Sequence, residues 1–194
     1  MSENKVIQSE NEVGGDQAAR DIIHNRNKSY YNYGDLRNSV SPVQSLYAKY
    51  ELEKENNPQL TEFIEELNYY YNKVDGDVIG LEKKLENGNR QSFIKYALRA
   101  KEAYHKKLYK NQFSEVAQQI NVYFLALIDS YFTHIIYPKI CGGASNEEIN
   151  ILIQENVINR VLSELGENTL GFTATDINGM LYFLTGNCHI EWTN

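Results

Sequence analysis

The chain has 194 residues, of which 42% are hydrophobic and 23% charged, and its formal net charge is −7. This length fits one domain that buries about 70% of the surface of its unfolded chain. No apolar run approaches the ~20 residues of a membrane span and no apolar signal segment opens the chain, so we expect a cytoplasmic protein without membrane contact. The two cysteines show no paired metal-ligand spacing, so we expect reduced thiols and no metal site.

Residues 1–40 differ from the rest of the chain in composition and in periodicity. They are rich in Gly, Asn, Ser and Tyr and show no helical periodicity. Related contexts around Asp16 and Asp21 indicate a short two-unit repeat of turn and strand. Two such units cannot bury a core alone, so an ordered form would need other copies or another chain. A flexible tail is the alternative. The candidate assembly residues are Val13, Gly14, Gly15, Asp16, Gln17, Arg20, Asp21, Ile22, Tyr30 and Tyr31.

From Ser41 onward the pattern is helical almost throughout. Ser41-Pro42 supplies an N-cap and a first-turn proline, and a second helix start follows at Asn57-Pro58. A short helical piece then leads to Gly88. Apolar residues next recur at helical spacing over 93–108, which predicts a long amphipathic helix.

The following apolar stripe, over 113–131, predicts a central helix that ends before Pro138. Ser145 and Glu148 have the spacing of a capping box at the start of the next helix, and Gly166 is a candidate C-cap glycine.

The pattern predicts a last helix that is capped by Asp176 and ends at Gly186. About six helices joined by short loops imply a helical bundle. We therefore expect an all-α domain over 41–194, preceded by the extended segment of 1–40.

The C-terminal block runs from apolar residues directly into a polar end. We interpret this block, like the N-terminal one, as an assembly surface. Cys188 and His189 are the only adjacent pair of candidate ligands or reactive groups, but neighbours on a strand point to opposite faces, so we expect a structural role for both. The residues of this C-terminal motif are Gly179, Met180, Tyr182, Gly186, Asn187, Cys188, His189 and Trp192.

Catalytic motifs are not found in the sequence. It contains no phosphate-binding glycine loop, nucleophile elbow, His-Glu-x-x-His or Cys-x-x-Cys pattern. Arg99 and His105 invite comparison with the arginine-histidine motif of helical ribonucleases, but the spacing here is one residue longer than in that family. We therefore expect no enzymatic activity and no cofactor.

Charge is segregated along the chain. Residues 83–110 carry nine basic and two acidic groups, whereas 41–82 and 111–194 each carry nine acidic groups, with three and two basic ones respectively. This pattern favours packing of the basic helix against acidic neighbours, or docking between subunits, before it favours nucleic acid. Nucleic-acid binding by a basic stripe is the alternative. Its candidate residues are Lys95, Arg99, Lys106 and Lys110.

Together, the block from Val13 to Ile22, the helical middle and the block from Gly179 to Ile190 resemble the C-terminal module of bacterial ABC-three-component defence systems over nearly the whole chain. In that family the module links an effector, often a nuclease, to a small middle component and an SMC-like ABC ATPase that senses foreign DNA. The resemblance implies a homo-oligomeric adaptor in anti-phage or anti-plasmid defence with those two partners, and it supplies no catalytic residue. Both a free-standing adaptor and a piece of a larger effector remain open.

Overall fold

Helices occupy most of the chain that the structure describes. The computed structural model describes residues 41–56, 63–72 and 79–193, and these residues form seven helices and no strand. The all-α prediction is therefore confirmed. The candidate assembly residues of 13–31 and the predicted helix start at Asn57-Pro58 lie outside the described residues.

The helices follow one another with short connections. Their bounds are α1 Pro42–Asn56, α2 Glu65–Tyr71, α3 Leu81–Asn87, α4 Ile94–Lys110, α5 Glu115–Cys141, α6 over 146–164 and α7 Ala174–Gly186. Helix α7 packs along α4, and α5 packs against α1, α2 and α7. The core therefore lies between α4, α5 and α7, with the shorter helices around it.

Helix α5 does not end before Pro138, so that prediction is wrong. A π-helical turn, Phe132–Ile136, precedes the proline, and the Tyr137 N–H donates to the Phe132 carbonyl five residues back. A proline in a regular α-helix removes one hydrogen bond and its ring clashes with the carbonyl four residues earlier. The wider π turn relieves this clash, and the helix continues to Cys141.

The continuous α5 has 27 residues, and its most apolar window has a mean hydropathy of 1.2. By length and composition alone it is the one helix in the described ranges that is apolar enough to cross a membrane. Its most apolar line faces the core, because Ile120, Phe124, Ile128, Phe132 and Ile136 are no more than 1% exposed. These five apolar side chains are explained by their packing in the core of the domain.

Hydrogen-bonding side chains cap the last two helices. The Ser145 hydroxyl accepts a hydrogen bond from the Glu148 N–H at 3.2 Å, as predicted for the start of α6. Helix α7 is capped by Thr173 and not by Asp176. The Thr173 hydroxyl accepts from the Asp176 N–H at 3.3 Å, and the Asp176 carboxylate accepts from the Thr173 N–H at 2.7 Å. This is a capping box, in which Asp176 occupies the third helical position.

Helices α4 and α7 approach each other closely at Gly179. A Cβ atom on Gly179 would lie 2.6 Å from the Cβ of Tyr104 and closer still to the Ala100 carbonyl oxygen. Neither neighbour is the mobile end of a side chain, so neither can move away without moving the α4 backbone. Gly179 therefore sets the distance between the two helices.

We predict that Gly179→Ala lowers the free energy of unfolding by about 2 kcal/mol, as overpacked core positions do. Alanine is favoured over glycine inside helices by about 1 kcal/mol, so any net loss measures the steric clash. Chemical denaturation followed by circular dichroism measures the change. Thr175→Ala, at an exposed position of the same helix, serves as the control and should stay within about 0.5 kcal/mol of the parent. A Gly179→Ala protein as stable as the parent would contradict the close approach.

Candidate functional site

The C-terminal motif is mostly buried inside the domain. Six of its eight residues have little or no exposed surface, namely Gly179, Met180, Tyr182, Gly186, Asn187 and Trp192. Only Cys188 and His189 are partly exposed. The side chains of Met180, Tyr182, Asn187 and Trp192 pack within their own chain, and the assembly role expected for this block stays a prediction.

A tight turn carries the chain out of α7. The Cys188 N–H donates to the Thr185 carbonyl at 3.3 Å and the His189 N–H to the Leu184 carbonyl at 3.0 Å. This pair of bonds is the Schellman motif, in which the residue after the C-cap adopts the left-handed conformation and is usually glycine. Here that residue is Cys188, with φ of 68°. The pair of Cys188 and His189 thus lies in a helix-terminating turn, and not on the strand assumed from the sequence.

His189 packs between the aromatic rings of α2. Its ring centroid lies 5.2 Å from that of Tyr69 and 5.3 Å from that of Tyr70. Burial lowers the pKa of His189, and the Asp129 carboxylate opposes the shift. Because the unfolded chain then binds the proton more readily, His189 contributes stability that is lost as the pH falls below about 6.5.

No cluster of three His, Cys, Asp or Glu side chains could hold a metal ion in the described part of the chain.

The chain after the turn is anchored on α3. The buried Lys84 ammonium donates to the Ile190 carbonyl at 3.1 Å and pairs with the Glu191 carboxylate at 2.5 Å. Trp192 closes the contact, because a Cβ on Gly88 would lie only 2.8 Å from the Trp192 Cβ. The Trp192 indole N–H donates to the Thr185 hydroxyl at 3.2 Å. These contacts hold the last residues of the motif against α3.

Arg90 lies beside this anchor. Its guanidinium is 4.5 Å from the centre of the Trp192 ring and 5.0 Å from that of Phe93. It donates to the amide oxygens of Asn146, at 3.1 Å, and of Asn150. A cleft of about 290 Å³ opens next to it. The sequence assigned Arg90 only to a block of basic residues, and no local pattern marked it as buried.

Part of the basic block is used inside the domain. The Lys107 ammonium pairs with the Asp176 carboxylate at 2.7 Å and donates to the Gly171 carbonyl at 2.6 Å. With the Lys84 pair, this contact shows the packing of basic residues against acidic segments that the charge pattern favours. It also ties α4 to the capping box of α7.

The four candidate nucleic-acid contacts differ from Lys84 and Lys107 in their exposure to solvent. All four are exposed and lie on one face of α4. Helical spacing places Lys95, Arg99, Lys106 and Lys110 within one stripe. Glu102 lies in its middle and pairs with Lys106 at 2.6 Å. The stripe is therefore a solvated, mostly cationic face.

Arg99 and His105 do not form a ribonuclease-like pair. Arg99 is exposed on the stripe, whereas the His105 Nε2 lies 3.4 Å from the Tyr71 hydroxyl and its ring packs 4.6 Å from that of Tyr109. Burial and the nearby Lys101 lower the pKa of His105. This histidine belongs to an aromatic contact between α2 and α4.

The fold and these contacts define an all-α domain that is closed by its own C-terminal segment. Residues 80–192 match the family model of C-terminal domain 9 of the ABC-three component (ABC-3C) systems. The chain belongs to this family, since the match covers more than half of it and includes helices α3 to α7. Membership is consistent with a component of a defence system. No curated protein and no solved structure matches the chain.

We predict that Cys188→Gly raises the free energy of unfolding by about 1 kcal/mol, because glycine adopts the left-handed conformation without the steric cost that other residues incur. Cys188→Ala is the matched control. It removes the same sulfur but keeps a Cβ at the strained position, so it should give no such gain. Urea denaturation of the three proteins measures the difference. Equal stability of the Gly and Ala variants would contradict the strain at Cys188.

Proposed function

We propose that this chain is a non-catalytic adaptor and oligomerisation subunit of a bacterial anti-phage or anti-plasmid defence complex. In this proposal it acts in the cytoplasm and links effector function to an SMC-like ABC ATPase and a small middle component. Family membership supports the setting. The observation that carries the adaptor role is the outer face of α4.

The outer face of α4 combines exposed apolar and cationic side chains. Tyr96 and Leu98 are 36% and 42% exposed, and Lys95 and Arg99 are their neighbours. Protein interfaces are enriched in aromatic residues and arginine, with a polar rim around them. Helical spacing places Tyr96 and Leu98 on the two opposite flanks of the cationic stripe, so exposed apolar surface borders the stripe on both sides. The opposite face of α4 is fixed against α7, so this surface is held on a rigid element.

Nucleic-acid binding is the second candidate, because the four exposed cations form one stripe that could follow a phosphate backbone. Two observations weaken it. Glu102 neutralises Lys106 within the stripe, and the chain carries a net charge of −7. A protein partner with an acidic, partly apolar surface fits the same face better.

One triple variant separates these two functions. We predict that Lys95→Glu, Arg99→Glu and Lys106→Glu together reduce capture of the SMC-like ATPase by at least about tenfold, since like charges placed opposite an acidic partner repel. The measurement is affinity capture of the tagged chain from its native host, followed by mass spectrometry of the ATPase and its small companion. Direct binding of duplex DNA at low salt is measured in parallel.

The control for this variant is Lys49→Glu, Lys54→Glu and Lys139→Glu, which makes the same change of charge at exposed positions outside α4. It should retain normal capture. Parent protein that recovers no ATPase would contradict the adaptor role. DNA binding by the parent that is lost in the α4 variant would support the second candidate instead, and absence of binding at low salt would exclude it.

The proposed oligomerisation has a separate test. We predict that deletion of residues 1–34 lowers the number of chains per particle, which is the molar mass from light scattering divided by the mass of one chain, while the helical circular dichroism signal of the domain remains. The reason is that the proposed assembly residues lie within 13–31, whereas the described helices begin at Pro42. An unchanged number of chains per particle would contradict an assembly role for this segment.

A further inference from the structure

Arg90 is a buried charge whose protein partners are all neutral. Arg90 is only 4% exposed to solvent. Its contacts are the amide oxygens of Asn146 and Asn150 and the rings of Phe93 and Trp192. Among the described residues, no carboxylate lies within ion-pair distance of it. The guanidinium is always charged, so the domain buries a positive charge without an anion.

Two other cations, the buried Lys84 and the partly buried Lys107, differ from Arg90 because each has an anionic partner. Lys84 has the Glu191 carboxylate and Lys107 has the Asp176 carboxylate. Burying a charge without a partner of opposite sign is costly, and folded proteins normally avoid it. Burial also lowers the pKa of Arg90 below its usual range. A counter-ion at Arg90 would therefore be stabilising.

The cleft next to Arg90 has the size and the donors for such an ion. Its volume of about 290 Å³ is near the lower end of ligand pockets. Exposed amide side chains line it together with buried apolar ones. The lining used here consists of Asn87, Asn89, Arg90, Asn146, Ile149 and Trp192. Amide nitrogens are hydrogen-bond donors, and lysine or arginine side chains other than Arg90 do not line the cleft.

We propose that this cleft binds a small anionic ligand whose carboxylate or phosphate oxygens pair with the Arg90 guanidinium. A guanidinium has five N–H donors, and the two asparagine oxygens take one from each terminal nitrogen. The remaining donors suit an oxyanion, which guanidinium binds through charge-assisted hydrogen bonds. The cation–π contacts with Trp192 and Phe93 and the two asparagine bonds hold the group in place before a ligand arrives.

The domain contains its own reporter for this site, because Trp192 is the single tryptophan of the chain and contacts Arg90. Inorganic phosphate and acetate are titrated separately into the full chain at constant ionic strength, with chloride as the balancing anion. We expect a saturable change in tryptophan fluorescence with at least one of the two, together with a rise in the unfolding temperature. Saturation by phosphate identifies a phosphate ligand, and saturation by acetate alone identifies a carboxylate.

Two variants connect the signal to the cleft. Arg90→Gln should abolish saturable binding, but it also changes the contacts of Asn146 and Asn150. Asn87→Asp keeps Arg90 and its partners and places a negative charge in the cleft lining, so it should weaken binding at least about tenfold. Asn159→Asp, the control, makes the same change of charge at an exposed position that does not line the cleft, and it should bind like the parent.

Three results would overturn the proposal. The first is no saturable change with either probe up to about 50 mM, a concentration that detects even weak binding. The second is the same change with chloride alone. The third is equal weakening by Asn87→Asp and Asn159→Asp, which would indicate an effect of net charge and not of the cleft.

Discussion

The close contact between α4 and α7 at Gly179 is the constraint on which the rest of the domain depends. Because the α7 backbone lies close to the α4 backbone near Ala100, the last helix lies within the core, where most of its residues are buried. The position of α7 then determines where its C-terminal turn points. That turn directs Ile190 and Trp192 onto α3, so a glycine in one helix decides how the end of the chain closes on the beginning of the family-matched segment.

The same helix pair explains how the basic block is divided. The inner side of α4 and its flanking residues use their cations within the domain, as in the pair of Lys107 with Asp176. The outer side presents Lys95, Arg99 and Lys110 to solvent. The total charge of residues 83–110 does not show this division. The division becomes clear only from the contacts that the block makes with α7 and with the C-terminal segment. The basic block is therefore divided between cations that form ion pairs inside the domain and cations that lie on its surface.

Features that depend on local periodicity could be predicted from the sequence, and those that depend on distant contacts could not. The apolar stripes of α4 and α5 give the helical class, and Ser145 begins α6 as its spacing indicates. The expected end before Pro138 fails because a π turn accommodates the ring, and the cap of α7 shifts to Thr173 because both capping bonds involve that residue. The left-handed Cys188 carries no glycine signal. The burial of Arg90 depends on Trp192, about a hundred residues away in the chain.

The burial of the C-terminal motif also changes where a partner surface should be sought. The side chains of Met180, Tyr182 and Trp192 are buried in the core, so they could contact another protein only if part of the domain unfolded. Binding to the partner would then have to supply the free energy of that local unfolding. An adaptor gains more from a surface that is already exposed and rigid, since little ordering entropy is then lost on binding. The outer face of α4 meets both conditions, because the contact at Gly179 holds its opposite side. The motif at the end of the chain thus bears on the proposed partner surface indirectly, by fixing the helix that carries it.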